Sequence, residues 1–489
     1  MGKLYKIHPS DNVAIALEAI KKGEIIDDLH ILDDVPFGHK VLLTDLKAGD
    51  NLIKYANPIG HIICDTKKGS HIHEHNLKTN LSDIIEYTFD GNKEYLPSDT
   101  VLTFDGYLRE DDRVATRNEI WIIPTVGCIN NTVQILEKTA QKLNFDECDG
   151  VFAYTHPNGC AQIGDDQECT RKILSALINH PNAGGVLVVS LGCENTNIRT
   201  LKKYLGEINE NRVKFLVTQD CEDEIEEGIK LLKELYTYVR TFKRQPISAS
   251  KLVVGFKCGG SDAFSGITAN ALCGRITDKL TSFGASTILT ETPEMFGAEH
   301  LLMKRAENKE VFDKAVNMIN GFKHYFFDHN QACYENPSPG NHDGGLTTLE
   351  EKSLGCIQKG GNAVVTDVLD YGDSVKTKGL NLLTGPGFDT VSITNLTCAG
   401  ATLILFTTGR GTPLGAPVPT LKISSNTQLS VKKSNWIDFN AGSLIDNGNM
   451  TDLSDNLLKL ILDVASGRQA KNEENGYREI AIFKDGVIM

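Results

Sequence analysis

Four cysteines stand where a thiol can do chemistry. Cys128, Cys160, Cys193 and Cys258 each follow a short apolar run within two to five residues, and each adjoins a glycine. A thiolate close to a helix N-terminus has a depressed pKa and can bind metal. Taken singly, a free cysteine is a small buried hydrophobe; four in equivalent places favour a shared role. The richest of these stretches is Lys257-Cys258-Gly259-Gly260-Ser261-Asp262, running on through Ala263-Phe264-Ser265-Gly266. An apolar run precedes it and a helical pattern, Ala269 to Leu280, follows. Strand, glycine turn and helix start together present backbone N–H groups to an anion.

Two further groups draw attention. Gly69-Ser70-His71-Ile72-His73-Glu74-His75-Asn76 places three of the chain's 13 histidines within five residues. If extended, His71, His73 and His75 share one face and can hold a divalent metal or an anion. The plainer alternative is a solvated polar face. Phe406-Thr407-Thr408-Gly409-Arg410-Gly411-Thr412-Pro413 sets an arginine between glycines at a strand end, where it can fork onto a carboxylate or simply lie solvated in a surface turn. Glu335 to Asn341 reads as a rigid loop. Beyond it, Thr347 with Glu350, or Thr348 with Glu351, fits a capping box opening a helix.

These residues need elements to hold them. Residues 1–90 read as a small, mostly β module of short apolar runs punctuated by Gly, Pro and Asp. A polar, turn-rich linker occupies 91–106. From Glu119 strand, turn and helix repeat, with strands at Ile120–Thr125, Gly150–Thr155, Gly185–Ser190 and Val213–Val217. That alternation predicts a parallel sheet with helices on both faces over 107–245. A second such domain, 246–489, opens with the Cys258 stretch. In open α/β sheets ligands bind at the carboxyl ends of the strands, which is where all four thiols fall.

The chain has 489 residues, 40% of them hydrophobic, and a net charge of −14. That charge argues against nucleic acid or an anionic membrane as partner. No run approaches the roughly 20 apolar residues of a membrane span. No secretory signal is evident, and the 12 cysteines read as reduced thiols of a cytoplasmic protein.

The motifs HPSDNVAIAL (8–17), GHKVLLTD (38–45), GSHIHEHN (69–76), IPTVGC (123–128), HPNAGGVLVVSLGCEN (180–195), CGGSDAFSGITAN (258–270), TPEMFGAE (292–299), ENPSPGN (335–341), GGLTTLEEKSLGC (344–356) and FTTGRGTP (406–413) resemble the altronate and galactarate dehydratase family nearly end to end. The chain departs from that pattern at Ala271 and at Pro157-Asn158. The resemblance implies an N-terminal β-clip module of the SAF type followed by two Rossmann-like parallel-sheet α/β domains. It implies loss of water from a sugar acid to give a 2-keto-3-deoxy acid in hexuronate breakdown, with ferrous or manganous ion as cofactor. From their positions at strand ends, His156 is taken as the base or acid, with Asp262 or Glu194 as its partner. Arg410, Thr412, Ser261 and Asn341 hold the substrate, and the amides of Gly259, Gly260 and Gly192 cradle its oxygens. Two ligand sets stand open for the metal: His71 with His73, or Cys160, Cys193 and Cys258 with Cys128. Three cysteines can also carry an iron–sulfur cluster with one open iron. An aldolase on the same kind of acid and a sugar-acid-binding regulatory protein are the rival readings. A homodimer is the expected assembly.

Overall fold

The computed structural model describes residues 2–81, 84–89, 97–98, 100–446 and 448–489. Residues 91–96 and 99 of the expected linker lie outside these; its end does not, because Thr103–Leu108 is a strand. This strand pairs antiparallel with Val114–Ala115 and with Gln245–Ser248. Burial alternates over the first four residues, Phe104 and Gly106 being buried while Thr103 and Asp105 face solvent, and Tyr107 on the other face is buried as well.

The N-terminal module is built from short antiparallel strands. One sheet runs Leu4–Tyr5, Val13–Ala16, Lys40–Leu42, His71–Ile72; another contains Asn51–Lys54, Asn57–Ile62 and Leu77–Lys78. Its own core is small, made of Ala16, Ile20, Ile26, Leu29, Ile31, Val35 and Val41. The opposite face, with Val13, Leu42, Leu52, Ile59, Ile62, Ile72 and Leu77, is continuous with the main core of the C-terminal domain. Burial of that face is the apolar part of the join.

The middle domain carries the four expected strands as one parallel sheet, in the order Val151–Ala153, Glu119–Pro124, Ala183–Ser190, Val213–Val217. The central two are buried along their whole length, as fits strands covered by helices on both faces. The C-terminal domain holds a seven-stranded parallel sheet. Its order is Val365–Leu369, Gly379–Leu383, Ser286–Leu289, Val253–Cys258, Leu403–Thr408, Thr420–Ser424, Phe439–Asn440. Strand Val253–Cys258 comes first in sequence yet lies fourth in space. The chain therefore builds outward to one side of it and later to the other. That reversal, between Val253–Cys258 and Leu403–Thr408, is a topological switch point, where α/β sheets open a crevice at their carboxyl ends.

Among the described residues, no helix is long and apolar enough to cross a membrane. The four thiols do not share one sheet edge. Cys128, Cys160 and Cys193 follow strands of the middle sheet and are exposed, whereas Cys258 ends a strand of the C-terminal sheet and is buried.

A candidate active site at the carboxyl edge of the larger sheet

Strand Val253–Cys258 delivers two functional side chains with opposite charge preference, Lys257 and Cys258, both buried. The neighbouring strand Ser286–Leu289 ends in Thr290-Glu291-Thr292-Pro293-Glu294 and adds two carboxylates. Helix Leu349–Cys356 brings Lys352 and Cys356, and the turn after it brings Lys359. Three lysines, two glutamates and two thiols thus converge in a buried place.

The pairing is dense. Lys257 contacts Glu291 and reaches Asp389 at 2.9 Å; Lys359 reaches Glu291 at 2.9 Å and Cys356 Sγ at 3.0 Å; Lys352 reaches Glu294 at 2.9 Å. The Cys258 amide donates to Glu291 at 3.1 Å. Glu291 has φ 74, a left-handed conformation that costs a non-glycine residue about 1 kcal/mol or more. Two ammonium groups and an amide on its carboxylate hold it there.

The two sulfurs are 3.2 Å apart. The bond from Cys356 lowers the Cys258 thiol below its ordinary range, and the same bond with burial pushes Cys356 well up. The proton shared by the pair therefore favours Cys356 over Cys258, and Lys359 lies beside them. Burial opposes ionisation of Glu294, yet Lys352, Lys257 and Lys359 hold its carboxyl well below the usual range. Burial also works against Lys257 and Lys359, but Glu291 with Asp389 raises the first, and the thiols with Glu291 raise the second.

The cluster opens on a cavity of about 580 Å³. Cys258, Gly259, Gly260, Glu294, Asn341 and Lys352 are in its wall. Such a volume suits a small organic acid. Lys352 Nζ lies 2.9 Å from Asn336 Oδ1 and 3.2 Å from Asn341 Oδ1. The two oxygens of Glu294 divide their attention: Oε2 lies 3.5 and 3.4 Å from the sulfurs of Cys258 and Cys356, while Oε1 faces Lys352 and Asn336. Gly260 turns the chain with φ 62, and a Cβ there would press on the side chain of Arg410 at 3.2 Å.

Cys258, Glu291, Glu294 and Cys356 offer ligand atoms all within 4.8 Å of one another. Two sulfurs with two carboxylates suit a borderline divalent ion, so the donor set fits the expected metal in type and spacing.

The expected site residues divide between places. Cys258, Gly259, Gly260 and Asn341 line the cavity, and the Ser261 carbonyl accepts from Asn341 Nδ2 at 2.9 Å. Arg410 and Asp262 line a different cavity of about 360 Å³. Both oxygens of Asp262 accept hydrogen bonds: Oδ1 from Ser265 and Ser425, Oδ2 from Asn426 at 3.0 Å. It braces the turn. Thr412 accepts from the Leu414 amide at 3.3 Å, a local turn bond.

His156 and Glu194 stand on the middle sheet. The buried His156 ring donates from Nε2 to the Pro124 carbonyl at 2.8 Å and accepts at Nδ1 from the Asn158 amide at 3.2 Å. Both nitrogens are taken, and burial lowers the ring to about 4. Burial would raise Glu194, but Ser190, Thr125 and the Gly192 amide bond its oxygens and hold it below the usual range. It ties two strand ends together. The exposed Cys160 and Cys193 join no group of three or more close ligand atoms among the described residues, which corrects the expectation that they share a metal with Cys258.

His71 and His73 lie at the join of the module and the C-terminal domain. Strand pairing covers only His71–Ile72, so the histidines cluster in a turn rather than along one extended face. The His71 ring contacts those of His73 and His75, and His39 completes the group, 3.0 Å from His71 Nε2.

Sequence reasoning missed Glu291, Glu294, Lys352, Lys359 and Cys356. The glutamates were within reach of the rule that found Cys258, since they too follow a parallel strand. The lysines and Cys356 sit in and just after a helix and carry no local signal.

Comparison with known proteins covers the whole chain. Three family models match: "Altronate/galactarate dehydratase SAF domain" over residues 3–80, "D-galactarate dehydratase/Altronate hydrolase, second domain" over 106–240, and "D-galactarate/Altronate dehydratase, C-terminal" over 249–488. The chain is 49% identical to an altronate dehydratase of Bacillus subtilis, with all of both chains covered. It is 48% identical to an altronate dehydratase of Escherichia coli, covering 99% of each. A galactarate dehydratase (L-threo-forming) of Escherichia coli is 32% identical over 99% of this chain and 97% of its own.

Proposed function

Because the chain belongs to the altronate/galactarate dehydratase family of sugar-acid hydro-lyases, we propose that it converts D-altronate to 2-keto-3-deoxy-D-gluconate in the cavity beside Cys258. The observation that carries this reading is the Glu294–Lys352 pair, which sets a carboxylate and an ammonium side by side on the cavity wall next to a glycine turn.

Dehydration of an aldonate removes the proton on the carbon beside the carboxylate and expels the neighbouring hydroxyl. The substrate carboxylate binds Lys352, with Asn336 and Asn341 fixing its orientation. Binding draws Lys352 away from Glu294. The released carboxylate loses its main counter-charge and gains basicity when a proton must be taken. Glu294 Oε1 accepts the α-proton and returns it to the departing hydroxyl, so one C–H and one C–O bond break, water leaves, and Glu294 is restored. The enol product rearranges to the keto acid. Cys258, Cys356, Glu291 and Glu294 Oε2 would hold a divalent ion, which when bound supplies Lewis-acid stabilisation of the enediolate charge. Ferrous or manganous ion suits those donors. The Gly259–Gly260 turn faces the same space and lets the substrate approach backbone closely.

The test is incubation of the anaerobic, metal-supplemented protein with altronate, galactarate and other aldonates or aldarates. The keto acid is read by its carbonyl chemistry and by mass loss of one water. Turnover of altronate above the rest supports the proposal. Binding without turnover, or cleavage to smaller fragments, overturns it in favour of a binder or an aldolase.

A further inference from the structure

His73 and Glu74 of the module meet His342 of the C-terminal domain, and their ligand atoms all lie within 4.8 Å of one another. The hydrogen bonds around them assign the tautomers. His73 Nε2 faces the His342 carbonyl at 3.1 Å, and His342 Nδ1 faces the Leu346 carbonyl at 3.0 Å. A carbonyl only accepts, so each of those nitrogens carries its proton. The remaining nitrogens, His73 Nδ1 and His342 Nε2, are lone pairs. Each lies 3.5 Å from an oxygen of Glu74. With both rings neutral, two lone pairs and a carboxylate thus converge, an arrangement that a cation at its centre satisfies.

From these three residues we infer a second metal site, a two-histidine, one-carboxylate centre for a divalent first-row transition ion, joining the module to the C-terminal domain. The spacing fits. Metal–nitrogen bonds of about 2.1 Å in a tetrahedral shell place ligand atoms about 3.4 Å apart. The backbone carbonyls that hold the outer N–H groups are the usual means of orienting a ligating imidazole. His39 stacks on His73, with ring centroids 4.9 Å apart, and fixes the ring plane. Glu74 has 58% of its side chain exposed, so an ion enters from solvent without rearrangement. The site is separate from the thiol–carboxylate set: it contains no sulfur, and its two halves come from different domains. It also has a line to the cavity. His342 follows Asn341 in the short helix Pro339–Asp343, and Asn341 is one of the groups that hold Lys352. An ion on His342 pins that helix.

The test uses the full chain, stripped with a chelator and titrated with Co²⁺, whose absorption distinguishes nitrogen and oxygen ligation from thiolate ligation. The parent should bind a Co²⁺ equivalent with no sulfur-to-metal band, and this equivalent should persist in Cys258→Ser and Cys356→Ser. In His73→Ala and His342→Ala its affinity should fall by at least about 100-fold. Glu74→Gln, at an exposed position where folding is not in question, should weaken it about 10-fold or more. Occupancy should also raise the temperature at which the module leaves the body, read by proteolysis between residues 81 and 103. Unchanged Co²⁺ affinity in Glu74→Gln and His342→Ala overturns the proposal, as does loss of all Co²⁺ in the cysteine variants.

Discussion

At the scale of single residues, the carboxylate of Glu294 is the most exposed to test. Its oxygens split between the sulfur pair and the cavity, so changes to it separate two roles. Glu294→Gln keeps shape and hydrogen bonding but removes the basic oxygen. We expect kcat on a sugar acid to fall about 10²- to 10⁴-fold, the usual worth of a positioned base. Lys352→Met should instead raise KM strongly, because the ammonium is the substrate's counter-ion. Steady-state kinetics on both variants check the division. Equal loss of kcat in both with KM unmoved would contradict it. Cys258 was legible in the sequence because a thiol after an apolar run and before glycines is a local pattern. Glu294 and Lys352 were not, because a lysine within a helix reads as a solvated charge until its partner, 58 positions away, is placed beside it.

At the scale of elements, the sheet order puts the site where it is. The switch between strands Val253–Cys258 and Leu403–Thr408 opens the crevice, and the Gly259–Gly260 turn lines it. Gly260 has φ 62 and little room beside Arg410. Gly260→Ala should destabilise by about 1–2 kcal/mol through the left-handed conformation alone. It should also shift the turn and lower kcat/KM. Denaturant unfolding and kinetics measure the two effects. The two central strands of the middle sheet were readable to within two residues at each end, since fully buried parallel strands are continuous apolar runs. Strands Gly379–Leu383 and Thr420–Ser424 escaped notice: Asn381 interrupts the first, and Lys422 the second. Both interruptions are buried: Asn381 donates from Nδ2 to the Thr377 and Gly379 carbonyls while its Oδ1 has no hydrogen-bond partner among the described residues, and Lys422 donates to the Leu414 carbonyl. Helix Leu349–Cys356 was expected to open with a capping box. Thr348 does cap the Glu351 amide, but the carboxylates of Glu350 and Glu351 turn outward to the module.

For the whole molecule, that outward turn is the main polar fastening. Glu351, fully buried, takes Lys40 at 2.8 Å and Lys54 at 2.6 Å, both from the module. Gly345, with φ 92, lets the body come so close that a Cβ would strike the Gly38 carbonyl. Burial would raise Glu351, but the two lysines bring its carboxyl down to about 2 from an ordinary 4.5. A folded-state value below the unfolded one adds stability that is complete above pH 4.5 and is lost as pH falls toward 2. The loss amounts to about 3 kcal/mol. Burial takes Lys40 down to about 8, so both lysines remain charged throughout that acid window and do not offset it. Equilibrium unfolding between pH 5 and 2 should show the decline, and Glu351→Gln should flatten it while costing about 3–5 kcal/mol at neutral pH.

The module has two faces, one closed on a core of its own and one shared with its neighbour, and its fastening is ionic and apolar rather than covalent. A gene cut in two, encoding residues 1–81 and 97–489 as separate polypeptides, should therefore yield halves that find each other when made together. The short half should be poorly soluble when made by itself, because its shared face would then meet water. Co-purification of the pair from one culture, with activity restored, is the outcome to look for.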